Sequence, residues 1–190
     1  SLLMGGQACI LYGGAEFSRD TDLVVLSDGA NLGRLREALE ELQATTIAVP
    51  PFEQRYLEMG LAVHFRCRHP EATHMRVDVI AKMRGVDDFD ALWERRTTFD
   101  VGTERVEALS LPDLVLSKKT QRDKDWPMIA RLVEASYFGV TGAATEEQVG
   151  FWLRELRTAP ILIEAARRFP RHAENLVSIR APLGVALAGD

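Results

Sequence analysis

The chain is short of cysteine. Its 190 residues hold only two, Cys9 and Cys67. That excludes a disulfide-stapled scaffold and favours a reducing compartment, so a cytoplasmic protein is expected and a Cys9–Cys67 bridge is not. Long apolar runs are also missing. Leu23–Leu26 and Pro160–Ile163 are among the longest, far below the roughly 20 residues of a membrane span. Positive charge is scarce: 23 Lys and Arg stand against 28 Asp and Glu, a net charge of −5. A generic nucleic-acid coat is thereby disfavoured, because phosphate binding is mainly the work of Lys and Arg. Ser1-Leu2-Leu3-Met4 has no basic region and no long apolar run, so no intact signal peptide is expected. Its abrupt apolar start leads us to expect further residues upstream. Neither a Gly-x-Ser-x-Gly elbow nor a Walker A sequence occurs, which leaves serine-hydrolase and P-loop chemistry without support.

What is present is a globular composition, with 46% apolar and 27% charged residues. At about 150 residues per domain the length fits one domain with an appendage. Up to residue 110, short β-branched runs alternate with turn signals and helical patterns. Strands are predicted at 2–4, 23–26, 45–49, 62–67, 75–80 and 106–109. Helices are predicted at 7–12, 31–42 and 87–95. Pro70 lies in the short linker between the strands at 62–67 and 75–80, which suits a hairpin. From Ser110 onward the pattern is only helical, over 114–121, 123–138, 146–157 and 159–169. Signals fade after Pro170, where irregular packing is expected. The chain therefore reads as an α/β (α+β) domain over 1–110, followed by a helical domain over 111–190.

Three acids attract attention. Asp20 and Asp22 flank Thr21 at the mouth of a strand. Residues i and i+2 of a strand point the same way, so both carboxylates can aim at one point. Such a pair repels itself, and Mg²⁺ or Mn²⁺ is its natural counter-charge. Asp78 sits between Val77 and Val79. Alternation groups it with Arg76 and Ile80, on either a solvent face or a site. Gly5-Gly6 follows an apolar run and precedes a short helix, a turn whose backbone N–H groups suit phosphate. Lys118, Lys119, Arg122 and Lys124 form the densest basic cluster, and Lys118 and Arg122 share a helix face. His64, His69 and His74 have no zinc-site spacing and are expected on the surface or the hairpin. Trp93, Trp126 and Trp152 are expected to pack in the core.

The order and spacing of these features carry a resemblance. Met4-Gly5-Gly6 is followed by 13 residues, then Asp20-Thr21-Asp22-Leu23, and later Val77-Asp78-Val79. This resembles the nucleotidyltransferase superfamily that shares its catalytic domain with DNA polymerase beta. The stretch from Gly5 to Leu23, with Ser110-Leu111-Pro112-Asp113-Leu114 through Lys118 to Asp125, is most similar to the minimal nucleotidyltransferases of type IV toxin–antitoxin, abortive-infection systems. Thr21 departs from the more usual apolar residue between the acids, and the last third of the chain matches no motif. The resemblance implies a mixed, mostly antiparallel sheet with flanking helices. It implies two-metal transfer of a nucleoside monophosphate from an NTP to an acceptor hydroxyl, on RNA or tRNA, a protein or a small molecule. In that scheme Asp20, Asp22 and Asp78 are catalytic and hold Mg²⁺ or Mn²⁺, while Gly5, Gly6, Lys118 and Arg122 bind the nucleotide. A cognate antitoxin protein is a further implied partner. The alternative is a non-catalytic protein that keeps the fold and binds a nucleotide or a partner.

Overall fold

The computed structural model describes residues 1–119 and 123–189. They gather into two compact units, Ser1–Arg122 and Asp123–Asp190. The helix Leu111–Lys118 thus belongs with the first unit, instead of opening the second as the expected boundary at 110 has it. Its buried Asp113 explains why. Both carboxylate oxygens bond Arg95, at 2.7 and 2.8 Å, and Ser110 caps the helix.

The first unit runs β1 (Leu2–Met4), α1 (Gly5–Leu11), β2 (Asp20–Val24), α2 (Gly29–Glu41), β3 (Thr45–Thr46), α3 (Gln54–Glu58), β4 (Val63–Arg66), β5 (Arg76–Ile80), α4 (Phe89–Glu94), β6 (Thr97–Val101), β7 (Glu104–Ala108) and α5 (Leu111–Lys118). The strands make one mixed sheet in the order β3-β4-β5-β2-β1-β7-β6. It is less antiparallel than expected, because β2 pairs with β5 and β1 with β7 in parallel. Parallel neighbours need a long crossover, and α2 lies in the one between β2 and the β4–β5 hairpin.

Alternation decides which face is core. Val63 and Phe65 of β4 and Val77 and Val79 of β5 are buried, and they cluster with Leu32 and Leu39 of α2 and Leu57 of α3. Each such side chain contributes about 1.5–3 kcal/mol of burial free energy. The residues between them, including Asp78, point to the opposite face. Asp28 caps α2, accepting the Asn31 N–H at 2.7 Å.

Several elements differ from expectation. β2 begins at Asp20, not Leu23. Asp is a poor strand residue, but pairing with β1 on one side and β5 on the other holds this segment extended. β3 is only Thr45–Thr46, and α3 and β6 were not anticipated.

The second unit contains α6 (Trp126–Gly139), α7 (Glu146–Glu155), α8 (Ala159–Arg168), α9 (Pro170–Leu176) and α10 (Pro182–Ala188). Trp152 is buried, with its indole N–H donating to Ser136 Oγ at 3.0 Å. Trp93 of the first unit and Trp126 are only half-buried, lying beneath the guanidinium groups of Arg96 and Arg157 respectively. The segment after Pro170 is helical where irregular packing was expected, because Pro170 and Pro182 sit in first turns, where proline is tolerated. Arg180 donates to the carbonyls of Leu153 and Leu156, satisfying the end of α7. Among the described residues no helix is long and apolar enough to cross a membrane.

Candidate functional site

Two parallel strands carry the acids. β2 and β5 pair in the register Asp20↔Arg76, Thr21↔Val77 and Asp22↔Asp78. Paired residues share a face, and adjacent strands lie about 4.8 Å apart. Asp22 and Asp78 are therefore side by side. Asp20, two residues back on β2, lies on the same face, with Arg76 opposite it.

Asp22 is held against the turn that follows β1. Met4, the last residue of β1, is its cross-strand partner. Gly5 has a left-handed φ of +65°, and a Cβ there would stand 1.8 Å from Asp22 Oδ2. Only glycine permits both the conformation and the approach. A Cβ on Gly6 would stand 2.4 Å from Ser18 Oγ, and that hydroxyl donates to the Asp20 carbonyl at 3.0 Å. The two glycines thus close the site around Asp22 and Ser18. Burial pushes the Asp22 carboxyl above its ordinary value, and the charges of Asp78 and Asp20 push the same way. The Lys118 charge and the Gly6 N–H oppose them. Lys118 lies in the last turn of α5, where a cation also complements the helix dipole.

Asp78 is occupied differently. Arg76 Nε donates to its Oδ1 at 2.8 Å, and an Arg76 terminal nitrogen donates to its Oδ2 at 2.9 Å. His64, in register with Asp78 on β4, brings Nδ1 within 2.9 Å of Oδ1 and 3.1 Å of the guanidinium. One ring nitrogen either donates to the carboxylate or accepts from the guanidinium, so the tautomer decides its partner. His64 lies on the hairpin, as expected, but it also lines Asp78, because the β4–β5 pairing puts it there. His69 does cap a turn in the hairpin, its Nδ1 accepting the Glu71 N–H, and His74 is exposed.

Arg76 and His64 are the two site residues that sequence reading missed as such. The i, i+2 spacing of Arg76 and Asp78 was a usable signal. Nothing local pointed to His64, whose place depends on strand register. Arg122 and the side chain of Lys124 lie outside the described residues.

The donor chemistry fits a hard divalent cation. Asp20 and Asp22 are the residues that could hold one, and the like charges around Asp22 call for a counter-charge. Among the described residues, however, no three His, Cys, Asp or Glu side chains form a group that could hold a metal ion. Asp78 has both oxygens on Arg76 instead.

No family model matches the chain, and no curated protein matches it. Among solved structures, an antigenic nucleotidyltransferase-like protein from Paracoccidioides brasiliensis is similar over 98% of this chain and 83% of its own, at 18% identity and a TM-score of 0.46. So loose a likeness leaves function to be read from the site's own residues.

Proposed function

We propose that the chain is a metal-dependent nucleotidyltransferase, moving a nucleoside monophosphate from an NTP to an acceptor hydroxyl with pyrophosphate as leaving group. The observation that supports this most is the pairing of Asp22 with Asp78, with Asp20 on the same face. A plain scaffold gains nothing from three neighbouring carboxylates, which repel one another.

In this reading Asp20 and Asp22 hold Mg²⁺ or Mn²⁺. When bound, the cation supplies positive charge to the transferring phosphate. Gly5 and Gly6 let the backbone approach the triphosphate, and Lys118 neutralises part of its charge. Arg122 is assigned the same task from its place in the sequence. Asp78, its carboxylate held by Arg76, orients the acceptor hydroxyl, whose proton leaves to water. The acceptor is an RNA or tRNA end, a protein or a small molecule. The resemblance to the minimal toxins extends the proposal to a toxin with a cognate antitoxin protein.

One observation favours a second reading. The pairing of Asp78 with Arg76 and His64 also suits a non-catalytic protein that keeps the fold and binds a nucleotide or a partner. Pyrophosphate release separates the two. With Mg²⁺, each NTP and pooled RNA, protein and small-molecule acceptors, the catalytic reading expects release that falls at least about 10²-fold in Asp22→Asn. Absence of release from the wild type in every combination favours the non-catalytic reading.

A further inference from the structure

We propose that Arg76 is a built-in counter-ion that replaces one of the two divalent cations expected at this face, so that the site takes a single cation through Asp20 and Asp22. The inference rests on the nucleotidyl-transfer reading above and departs from its two-ion form. A two-ion site places cations about 3.5–4 Å apart and needs carboxylates free to clamp both. Here Asp78 is not free. The guanidinium meets it in a two-pronged, charge-assisted arrangement at 2.8 and 2.9 Å, among the strongest pairings a carboxylate makes. The Asp78 side chain is only 16% exposed, while that of Arg76 is 36% exposed, so water reaches the guanidinium and the two-pronged geometry carries the pairing. His64 flanks Oδ1 at 2.9 Å.

Arg76 also serves the other acids. It stands opposite Asp20 in the register, and the charges of Asp78, Asp20 and Asp22 all stabilise its protonated form. A guanidinium does not give up its proton in a protein, so it is a permanent charge at this place. Three carboxylates against Arg76 and Lys118 leave a formal charge of −1. One divalent cation takes that to +1, which the negative charge of the triphosphate offsets, whereas a second would first have to displace the guanidinium.

The test counts ions directly. Mn²⁺ is titrated into the full chain with a non-hydrolysable NTP analogue, and bound Mn²⁺ is read by electron paramagnetic resonance. The inference expects one Mn²⁺ per bound analogue in the wild type and in Arg76→Lys, and two in Arg76→Met, where Asp78 is released. Two ions in the wild type overturn it, as does a count of one in a folded Arg76→Met. The wild-type count decides the matter even if Arg76→Met fails to fold. If wild type and Asp22→Ala bind Mn²⁺ and analogue equally, the nucleotidyl-transfer reading itself falls, and the counter-ion assignment falls with it.

Discussion

Gly5→Ala tests the construction of the site without touching an acid. Two costs follow from the structure. Alanine at a φ of +65° is strained by roughly 1–2 kcal/mol. Its Cβ would also meet Asp22 Oδ2 at 1.8 Å, Cγ at 2.5 Å and Cβ at 2.7 Å, an overpacking that costs about 1–3 kcal/mol once neighbours have shifted. Together these give roughly 2–5 kcal/mol, or a fall in Tm of about 8–20 °C for a unit of this size. The two costs are separable. Asp22→Ala removes the two nearest clashing atoms and leaves the backbone strain. In that background Gly5→Ala should cost about 1–2 kcal/mol less, a coupling that a double-mutant cycle by urea denaturation resolves. Equal costs in both backgrounds would refute the claim that Gly5 is glycine because Asp22 lies against it.

Asp22→Asn should melt above the wild type at pH 7. Folding raises the Asp22 pKa above its ordinary 3.8, so its charge costs stability at neutral pH. That cost is relieved as pH falls through the raised value, because the folded state then binds the extra proton. Thermal melts across pH should show the gap closing on acidification and gone below about pH 3.8. Added Mg²⁺ should raise the wild-type Tm but not that of Asp22→Asn, as differential scanning calorimetry would show. Arg95→Ala should cost roughly 1–3 kcal/mol in urea denaturation, because Asp113, only 4% exposed, loses two charge-assisted bonds. Arg95→Lys should restore only part of this, since a point charge does not match the paired geometry.

The parts of the fold legible in sequence are those written in local pattern. Val77 and Val79 alternate with charged neighbours, and Leu32, Leu35 and Leu39 recur at helical spacing. Strand β5 and helix α2 could be read from these alone. Asp20 and Asp22 were legible as a pair for the same reason, since a two-residue spacing fixes a shared face. The face of Asp78 was not, because alternation separates two faces without saying which one meets the other acids. That depends on the parallel β2–β5 register, set by residues more than fifty positions apart. His64 was hidden by the same non-locality. The β6–β7 hairpin was missed for a different reason. Its edge strand, Thr97–Val101, has no buried residue. Its signal was the two-residue Gly102-Thr103 loop, with a left-handed glycine at the turn. In the second unit, irregular packing was expected after Pro170, yet Pro170 opens a helix.

The most direct test of the central claim follows which phosphate moves. Wild type and Asp22→Asn are each incubated with Mg²⁺, NTPs labelled at the α- or the γ-phosphate, and RNA, protein and small-molecule acceptors. Nucleotidyl transfer at the Asp20–Asp22–Asp78 face predicts acceptor carrying the α-label and not the γ-label, at a rate at least about 10²-fold lower in Asp22→Asn. Transfer of the γ-label, or equal α-labelling by wild type and variant, would contradict it.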